Sequence, residues 1–417
     1  MTKIQLPLVN GTLFDTGPPR VLIMAEGVTL AHVVRPLSIA RALQSRGYDV
    51  QFAVDRRHHA MLGDFAATAH ALPGIEPSKF MASLARGAPV FELETLRQYV
   101  RDDLALFSKL SPDLVIGDFR LSLAVSARRA SVPYVAISNA YWSAAFRPTR
   151  YPLPVLPFTS FMPIRAAEAV FRLAQPTAFK LHCKPMDRLR RENGMVGVEG
   201  DIHLAYTDSD DTLLADIPEM YGASGSAAER FIGAVPWAPS DTLPPWWNEL
   251  DGNLPVVYVA LGSSGSMKAA AIAVQALSSL PVLTIVSTAG RSLGCELPAN
   301  TRAARYLPGS AVAKRASLVV CNGGSPATQQ ALAEGTPVLG ICSNMDQFLN
   351  MFAVERAGAG LTMRADRVNL QVLRSTVTRL LDGRGRIHAA KILAILFGVY
   401  RFDDRLDARL RLLLPRN

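Results

Sequence analysis

The chain of 417 residues is too long for one ordinary core and suits two domains of roughly 200 residues each. With 49% hydrophobic and 19% charged residues, and a longest apolar run of nine residues at 392–400, it reads as globular, neither disordered nor membrane-spanning. Basic side chains outnumber acidic ones 44 to 35, and the net charge of +9 is mostly arginine in 165–191 and 384–416, which suits an anionic ligand or surface, or a solvated basic face.

Residues 1–19 read as a loose leader without the charged-then-apolar pattern of a secretion signal. Cys183, Cys295, Cys321 and Cys342 are too scattered for a disulfide framework or a metal site, so reduced thiols in a cytoplasmic protein are expected. Val21-Leu22-Ile23-Met24-Ala25 predicts a strand buried on both faces. A loop over 26–32 leads to Leu37, Ala40 and Leu43 at helical spacing, Gly47 as a helix stop, and a strand at 50–54. The span 78–110 is amphipathic and mostly helical. Leu114-Val115-Ile116-Gly117 predicts a strand ending at Asp118, followed by a helix at 121–130 and a strand at 132–137. The segment 141–161, rich in proline and aromatics, predicts the kind of long irregular stretch that often carries binding. Pro244-Pro245-Trp246-Trp247 marks 241–255 as a linker. A second series follows, with strands at 256–261, 282–287, 318–321 and 338–341 and helices at 268–279 and 348–356. Strands alternating with helices predict parallel sheets, and two such series predict an α/β protein of two doubly wound, Rossmann-like domains facing a cleft.

The densest chemical signal is Cys321-Asn322-Gly323-Gly324-Ser325-Pro326-Ala327-Thr328-Gln329-Gln330-Ala331-Leu332. A buried strand ends, two glycines turn the backbone, and a helix starts with Pro326 in its first turn. Amides and dipole at such a helix start favour phosphate, and glycines let the backbone approach it; a plain structural turn is the alternative. Downstream, Asp346 and Gln347 suit sugar hydroxyls, the carboxylate accepting and the amide donating, or simply a helix cap.

Taken in order and spacing, 322–360 resembles the donor signature of family 1 nucleotide-sugar glycosyltransferases, which include macrolide and plant secondary-product enzymes: His-Gly-Gly-x-Gly-Thr, a helix with Glu, Gly-x-Pro, then Asp-Gln and Asn. Leu261-Gly262-Ser263-Ser264-Gly265 is similar to the strand end that faces the diphosphate, and Tyr306-Leu307-Pro308-Gly309 to the segment against the nucleobase. The resemblance implies a GT-B fold. It divides the chain into an acceptor domain at 1–240, a nucleotide-sugar domain at 241–385, and helices at 386–417 that pack back on the first domain. It implies a UDP- or dTDP-sugar donor with no metal and no further cofactor. The donor would be held by Ser263, Ser264, Leu307, Asn322, Gly323, Gly324, Ser325, Thr328, Gln330, Asp346 and Gln347. The family's signature histidine is Asn322 here, its glycine and threonine are Pro326 and Ala327 with Thr328 one place later, and its glutamate is Gln330. Hydrogen-bonding capacity survives near each change, which points to an altered donor site.

Transfer to a hydroxyl needs a base within hydrogen-bond reach. His32 follows the first strand and Asp118 ends a later one, so both lie at the C-terminal edge where such sheets bind ligands. They match the family's catalytic histidine and its aspartate partner, although His32 stands one residue further from Pro36 than the pattern has it. A loop histidine and a helix cap are the plainer alternatives. Tyr141, Trp142 and Phe146 are expected to hold an apolar acceptor, or to be core. The expected activity is inverting sugar transfer to a hydroxyl of an apolar small molecule or lipid. The competing readings are an inactive relative that binds without catalysis, favoured by Asn322, and a nucleotide-sugar epimerase, for which one His-Asp pair fits poorly. Asp208, Asp210 and Asp211 form an acidic cluster with little claim to a metal. The basic residues form no stripe with a nucleic-acid-binding motif. Basic 165–191, interleaved with Phe171, Leu173, Phe179 and Leu181, suits peripheral contact with the inner face of a membrane.

Overall fold

The computed structural model describes residues 17–236, 243–250, 252–262 and 265–414. The first half runs β1 (Arg20–Ala25), α1 (Ala31–Ser45), β2 (Asp49–Val54), β3 (His70–Ala71), α2 (Pro77–Arg86), α3 (Leu93–Leu110), β4 (Leu114–Asp118), α4 (Leu123–Ala130), β5 (Tyr134–Ser138), α5 (Ile164–Glu192), α6 (Ile202–Thr207) and β6 (Asp211–Leu214). The second runs β7 (Val256–Ala260), α7 (Met267–Leu277), β8 (Leu283–Ser287), β9 (Thr301–Ala304), α8 (Gly309–Arg315), β10 (Leu318–Cys321), α9 (Ser325–Ala333), β11 (Val338–Cys342), α10 (Met345–Arg356), β12 (Gly360–Arg364) and α11 (Leu370–Leu381). Two helices close the chain, α12 (Arg384–Val399) and α13 (Phe402–Leu413).

Each half is built on a six-stranded parallel sheet of the same order, β3-β2-β1-β4-β5-β6 and β9-β8-β7-β10-β11-β12. Helices on both faces explain the unbroken apolar strands. Along β1, Val21, Ile23 and Ala25 enter one core while Leu22 and Met24 enter the other. Along β7, Val256 and Tyr258 face one way, Val257 and Val259 the other. In such sheets ligands bind where the strand order reverses, outside the carboxyl ends. Those points are β1/β4, where Ala25 pairs with Asp118, and β7/β10, where Ala260 pairs with Cys321.

The stretch 241–255 is less of a spacer than its prolines predict. Residues 237–242 and Asp251 lie outside the described part, but Pro245–Glu249 forms a 3-10 turn whose tryptophans pack on the second core. Arg315 lies over the Trp247 ring and donates to the carbonyls of Trp247 and Leu250. The tail does not return to the first half as one piece from 386. Ala390, Leu393 and Phe397 of α12 enter the second core, and only α13 crosses, placing Leu406 and Leu410 in the first. The crossing is tight. A Cβ on Gly233 (φ +86°) would stand 2.6 Å from the Tyr400 carbonyl oxygen, so glycine is required there. Arg46, which caps the end of α1, then meets Asp403, Asp404 and Asp407 of α13.

Helix α5 is hidden from the sequence by Pro176 and Pro185, which lie inside its 29 residues. The segment before it, irregular as expected, leaves the first half and is tied to the second. Val155 N donates to Ser343 O at 2.7 Å, and Thr159 Oγ1 to Asp366 Oδ2 at 2.7 Å. Arg364 donates to the carbonyls of Leu153 and Pro154, and Arg367 to those of Thr159 and Met162.

Candidate functional site

Both strand-order reversals open onto one cavity of about 510 Å³ between the halves. His32 lies in the first turn of α1 and lines it. Its Nδ1 stands 2.8 Å from Asp118 Oδ1 at the end of β4. The carboxylate accepts, so Nδ1 carries the hydrogen and Nε2 is left as the acceptor. The imidazole also stacks on Phe119, with centroids 4.7 Å apart and planes 13° from parallel. Phe119 has φ +59°, a conformation costing a bulky residue about 1–3 kcal/mol, and it carries the ring that backs His32.

Asp118 is 1% exposed. Burial pushes its carboxyl upward, but the Arg35 charge, with hydrogen bonds from His32 and Arg35, outweighs this and holds it below the ordinary range. Arg35 donates from Nε to Oδ2 at 2.6 Å and from Nη2 to Oδ1 at 2.9 Å. Its Nη1 donates to Asn139 Oδ1 at 2.8 Å, an oxygen that also accepts from Ser325 Oγ of α9 at 3.1 Å. Asn139 in turn donates to Asp216 Oδ2 at 3.1 Å, and Gln329 of α9 donates to Asp216 Oδ1 at 2.8 Å. A continuous polar chain therefore links the His-Asp pair to the first turns of α9 across the two halves. Burial pushes Asp216 up to about 6 despite these donors.

Arg35, Asn139, Asp216 and Gln329 are additions that the structure makes to the expected residues. Arg35 lies three residues after His32, on the same helical face, and Asn139 follows a strand's carboxyl end; both spacings were available signals. Asp216 and Gln329 carried none.

Among the expected donor residues, Asn322, Gly324, Ser325, Gln330, Leu307, Asp346 and Gln347 line the cavity, as do Gly262, Pro326 and Ala327. The start of α9 therefore points its amides and dipole inward. Asn322 Oδ1 accepts from Gly324 N at 3.0 Å, which fixes the turn. Ser263 and Ser264 lie outside the described residues. Two residues are corrected. Thr328 is fully buried and turns back on the helix start, bonding the carbonyls of Gly324 and Ser325 and accepting from Asn350 Nδ2. Gly323 (φ +81°) packs against α10: a Cβ would meet Cys342 Sγ at 2.5 Å and Met351 Cγ at 2.8 Å. Both shape the turn without lining the cavity.

Gln347 and Asn344 form a reciprocal cap on α10, with Gln347 Oε1 accepting from Ser343 N and Asn344 N. Its carbonyl oxygen is therefore already engaged within the cap. Asp346 Oδ1 accepts from Trp142 Nε1 at 2.8 Å across the cleft. His203 aims Trp142, its Nδ1 lying 2.9 Å from the Trp142 carbonyl oxygen and its Nε2 2.7 Å from Tyr151 Oη. Tyr141 is buried at the cavity wall, and burial pushes its hydroxyl far up. Phe146 is the third correction. It packs on Tyr221 and Phe231 at 5.7 and 5.4 Å in a small core beneath, away from the cavity.

On the first-half side the cavity is apolar, walled by Phe80, Met81 and Leu84 of α2, Phe171 and Ala178 of α5, and Leu156 and Phe158. His182 also lines it; burial pushes its imidazole down to about 4, so it is neutral there, bonded to Tyr206 Oη at 2.8 Å. The acidic cluster is occupied by arginines: Asp208 pairs with Arg128 and Arg190, and Asp211 with Arg409.

The family described as Erythromycin biosynthesis protein CIII-like, C-terminal domain, matches residues 265–395. A PGL/p-HBAD biosynthesis glycosyltransferase of Mycobacterium tuberculosis (strain ATCC 25177 / H37Ra) is 43% identical over 94% of this chain and 92% of its own. A PGL/p-HBAD biosynthesis rhamnosyltransferase of Mycobacterium bovis (strain BCG / Pasteur 1173P2) is 42% identical over 95% of this chain and 89% of its own. The glycotransferase of kitacinnamycin shares the fold, with a TM-score of 0.69 over 96% of this chain and 100% of its own at 20% identity.

Proposed function

The chain belongs to the PGL/p-HBAD biosynthesis glycosyltransferases and is a transferase of GT-B fold, and from that premise we propose that it moves a sugar, with inversion, from a UDP- or dTDP-sugar to a hydroxyl of an apolar acceptor, with His32 as the base. The observation that carries this reading is the 2.8 Å contact of His32 Nδ1 with a buried, ionised Asp118, facing the start of α9 across the cavity. His32 Nε2 takes the acceptor proton. The acceptor oxygen forms a bond to the anomeric carbon as the bond to the diphosphate oxygen breaks, and the nucleoside diphosphate leaves with that electron pair. Asp118 stabilises the imidazolium. Charge building on the leaving group meets the α9 amides, the helix dipole and Asn322. Asp346 accepts from sugar hydroxyls. The apolar wall of α2 and α5 holds the acceptor body.

The test is His32→Ala with donor binding followed separately. A fall in kcat of at least about a thousandfold, with the thermal shift given by UDP or dTDP retained, is the expected result. Activity within about tenfold of the parent would remove His32 as the base. A rhamnosyl donor is the first to try, because one relative carries that name. A purely binding role rests on Asn322 alone, and the intact His-Asp pair speaks for catalysis.

A further inference from the structure

The acceptor wall has an outer side. α5 turns Phe171, Ala174 and Ala178 toward the cavity, while Val170, Leu173 and Leu181 are 44%, 83% and 55% exposed. These three follow at i, i+3 and i+11, along one helical face. Phe161, just before the helix, is 83% exposed. Arg165, Arg172, Lys180 and Lys184 are exposed on the same helix, and the only acid between 164 and 181 is Glu168. Other arginines of this half do meet acids, as Arg128 meets Asp208 and Arg147 meets Asp201. An apolar stripe edged by one sign of charge is the pattern of an interfacial helix, whose apolar side chains enter the acyl boundary while its cations meet headgroup phosphates. Among the described residues, no helix is long and apolar enough to cross a membrane, so the contact would be peripheral. Val170 belongs to both sides, since it is partly exposed and lines the cavity rim.

We propose that the outer face of α5 docks the enzyme on an anionic lipid bilayer, from which an amphiphilic acceptor passes over the Val170 rim toward His32. The docking surface rests on the charge pattern; the passage rests on the reading of the cavity as the acceptor site. The experiment is flotation of the full chain with phosphatidylcholine vesicles carrying about a third phosphatidylglycerol. Binding at low salt is expected, with release at about 1 M salt, where the Debye length is about 3 Å. Leu173→Glu with Leu181→Glu should lower vesicle binding at least about tenfold. The nucleotide thermal shift and transfer to a short, water-soluble acceptor should be unchanged. Arg172→Glu with Lys180→Glu and Lys184→Glu should do the same on anionic vesicles. No binding of the parent at low salt, or equal binding by both variants, overturns the proposal. So does a dimer, seen by light scattering, that the leucine substitutions dissociate, because the face then belongs to a second copy. Vesicle binding without sugar transfer supports docking and sinks the acceptor reading. Transfer without vesicle binding does the reverse.

Discussion

Arg35 grips Asp118 with two nitrogens, at 2.6 and 2.9 Å, while His32 reaches the same carboxylate from one helical turn away. The carboxylate that holds the proposed base is thus shared with a permanent cation, and burial, which would otherwise raise Asp118, is overcome chiefly by Arg35.

Removing that cation should therefore move a pH limit. In Arg35→Ala, Asp118 loses the largest influence holding it ionised, so it protonates at a higher pH than in the parent. The acid-side fall in kcat should shift upward by about one unit or more. Stability to urea should drop by about 3 kcal/mol, the scale for breaking a buried pair. Arg35→Lys should recover part of both. An unmoved pH profile would mean that Arg35 does not control Asp118.

Asp216 has the opposite sign. Its folded carboxyl is pushed up to about 6, against about 3.9 in an unfolded chain. Between these values the folded state holds a proton that the unfolded state has lost, so this group's contribution to stability falls as pH rises from about 4 to about 6. Asp216→Asn should remove that component, on the order of 3 kcal/mol across the window. Melting temperatures taken from pH 4 to 7 test this. Parallel curves for the two proteins would count against it.

Asp346→Asn keeps an oxygen for the Trp142 indole but removes the charge that would accept from sugar hydroxyls. A charge-assisted hydrogen bond contributes about 1.5–3 kcal/mol, so kcat/KM for the donor should fall roughly 10- to 100-fold with the fold intact. A fall confined to acceptor KM would move Asp346 to the other substrate.

Thr328→Val separates a structural hydroxyl from a ligand. Its Oγ1 serves the Gly324 and Ser325 carbonyls in the turn and Asn350 of α10, all within the protein. Stability should drop by about 1–2 kcal/mol, with donor KM changed less than about twofold. A large rise in donor KM at unchanged stability would restore Thr328 as a donor contact.

The parts of this enzyme that were legible in the sequence are those whose chemistry is local. Strand ends declare their ligand edge, so the positions of His32, Asp118 and the turn at Asn322 at that edge follow from the sequence. Resemblance over 322–360 adds the expectation of a nucleotide-sugar donor. What stayed hidden depends on distant pairing. Arg35 meets Asn139 and Gln329 meets Asp216 over more than a hundred residues, and no pattern along the chain encodes such a meeting. The directions of Thr328 and Phe146 are hidden for a related reason. A motif gives residue type and spacing but not side-chain direction, and one place along a helix turns a side chain by about 100°. Prolines concealed α5, because a helix held by tertiary packing tolerates what propensity forbids.

The irregular segment between β5 and α5 belongs by sequence to the half that holds His32, yet its carbonyls and amides are anchored to Ser343, Arg364, Asp366 and Arg367 of the other half. Leu156 and Phe158, carried on it, help wall the apolar side of the cavity. Any rotation that parts the two halves must either break those anchors or drag this piece of wall out with the donor side. On the proposed transferase reading, acceptor entry and product escape are geared to the same movement that frees the spent nucleotide, and domain opening then limits turnover.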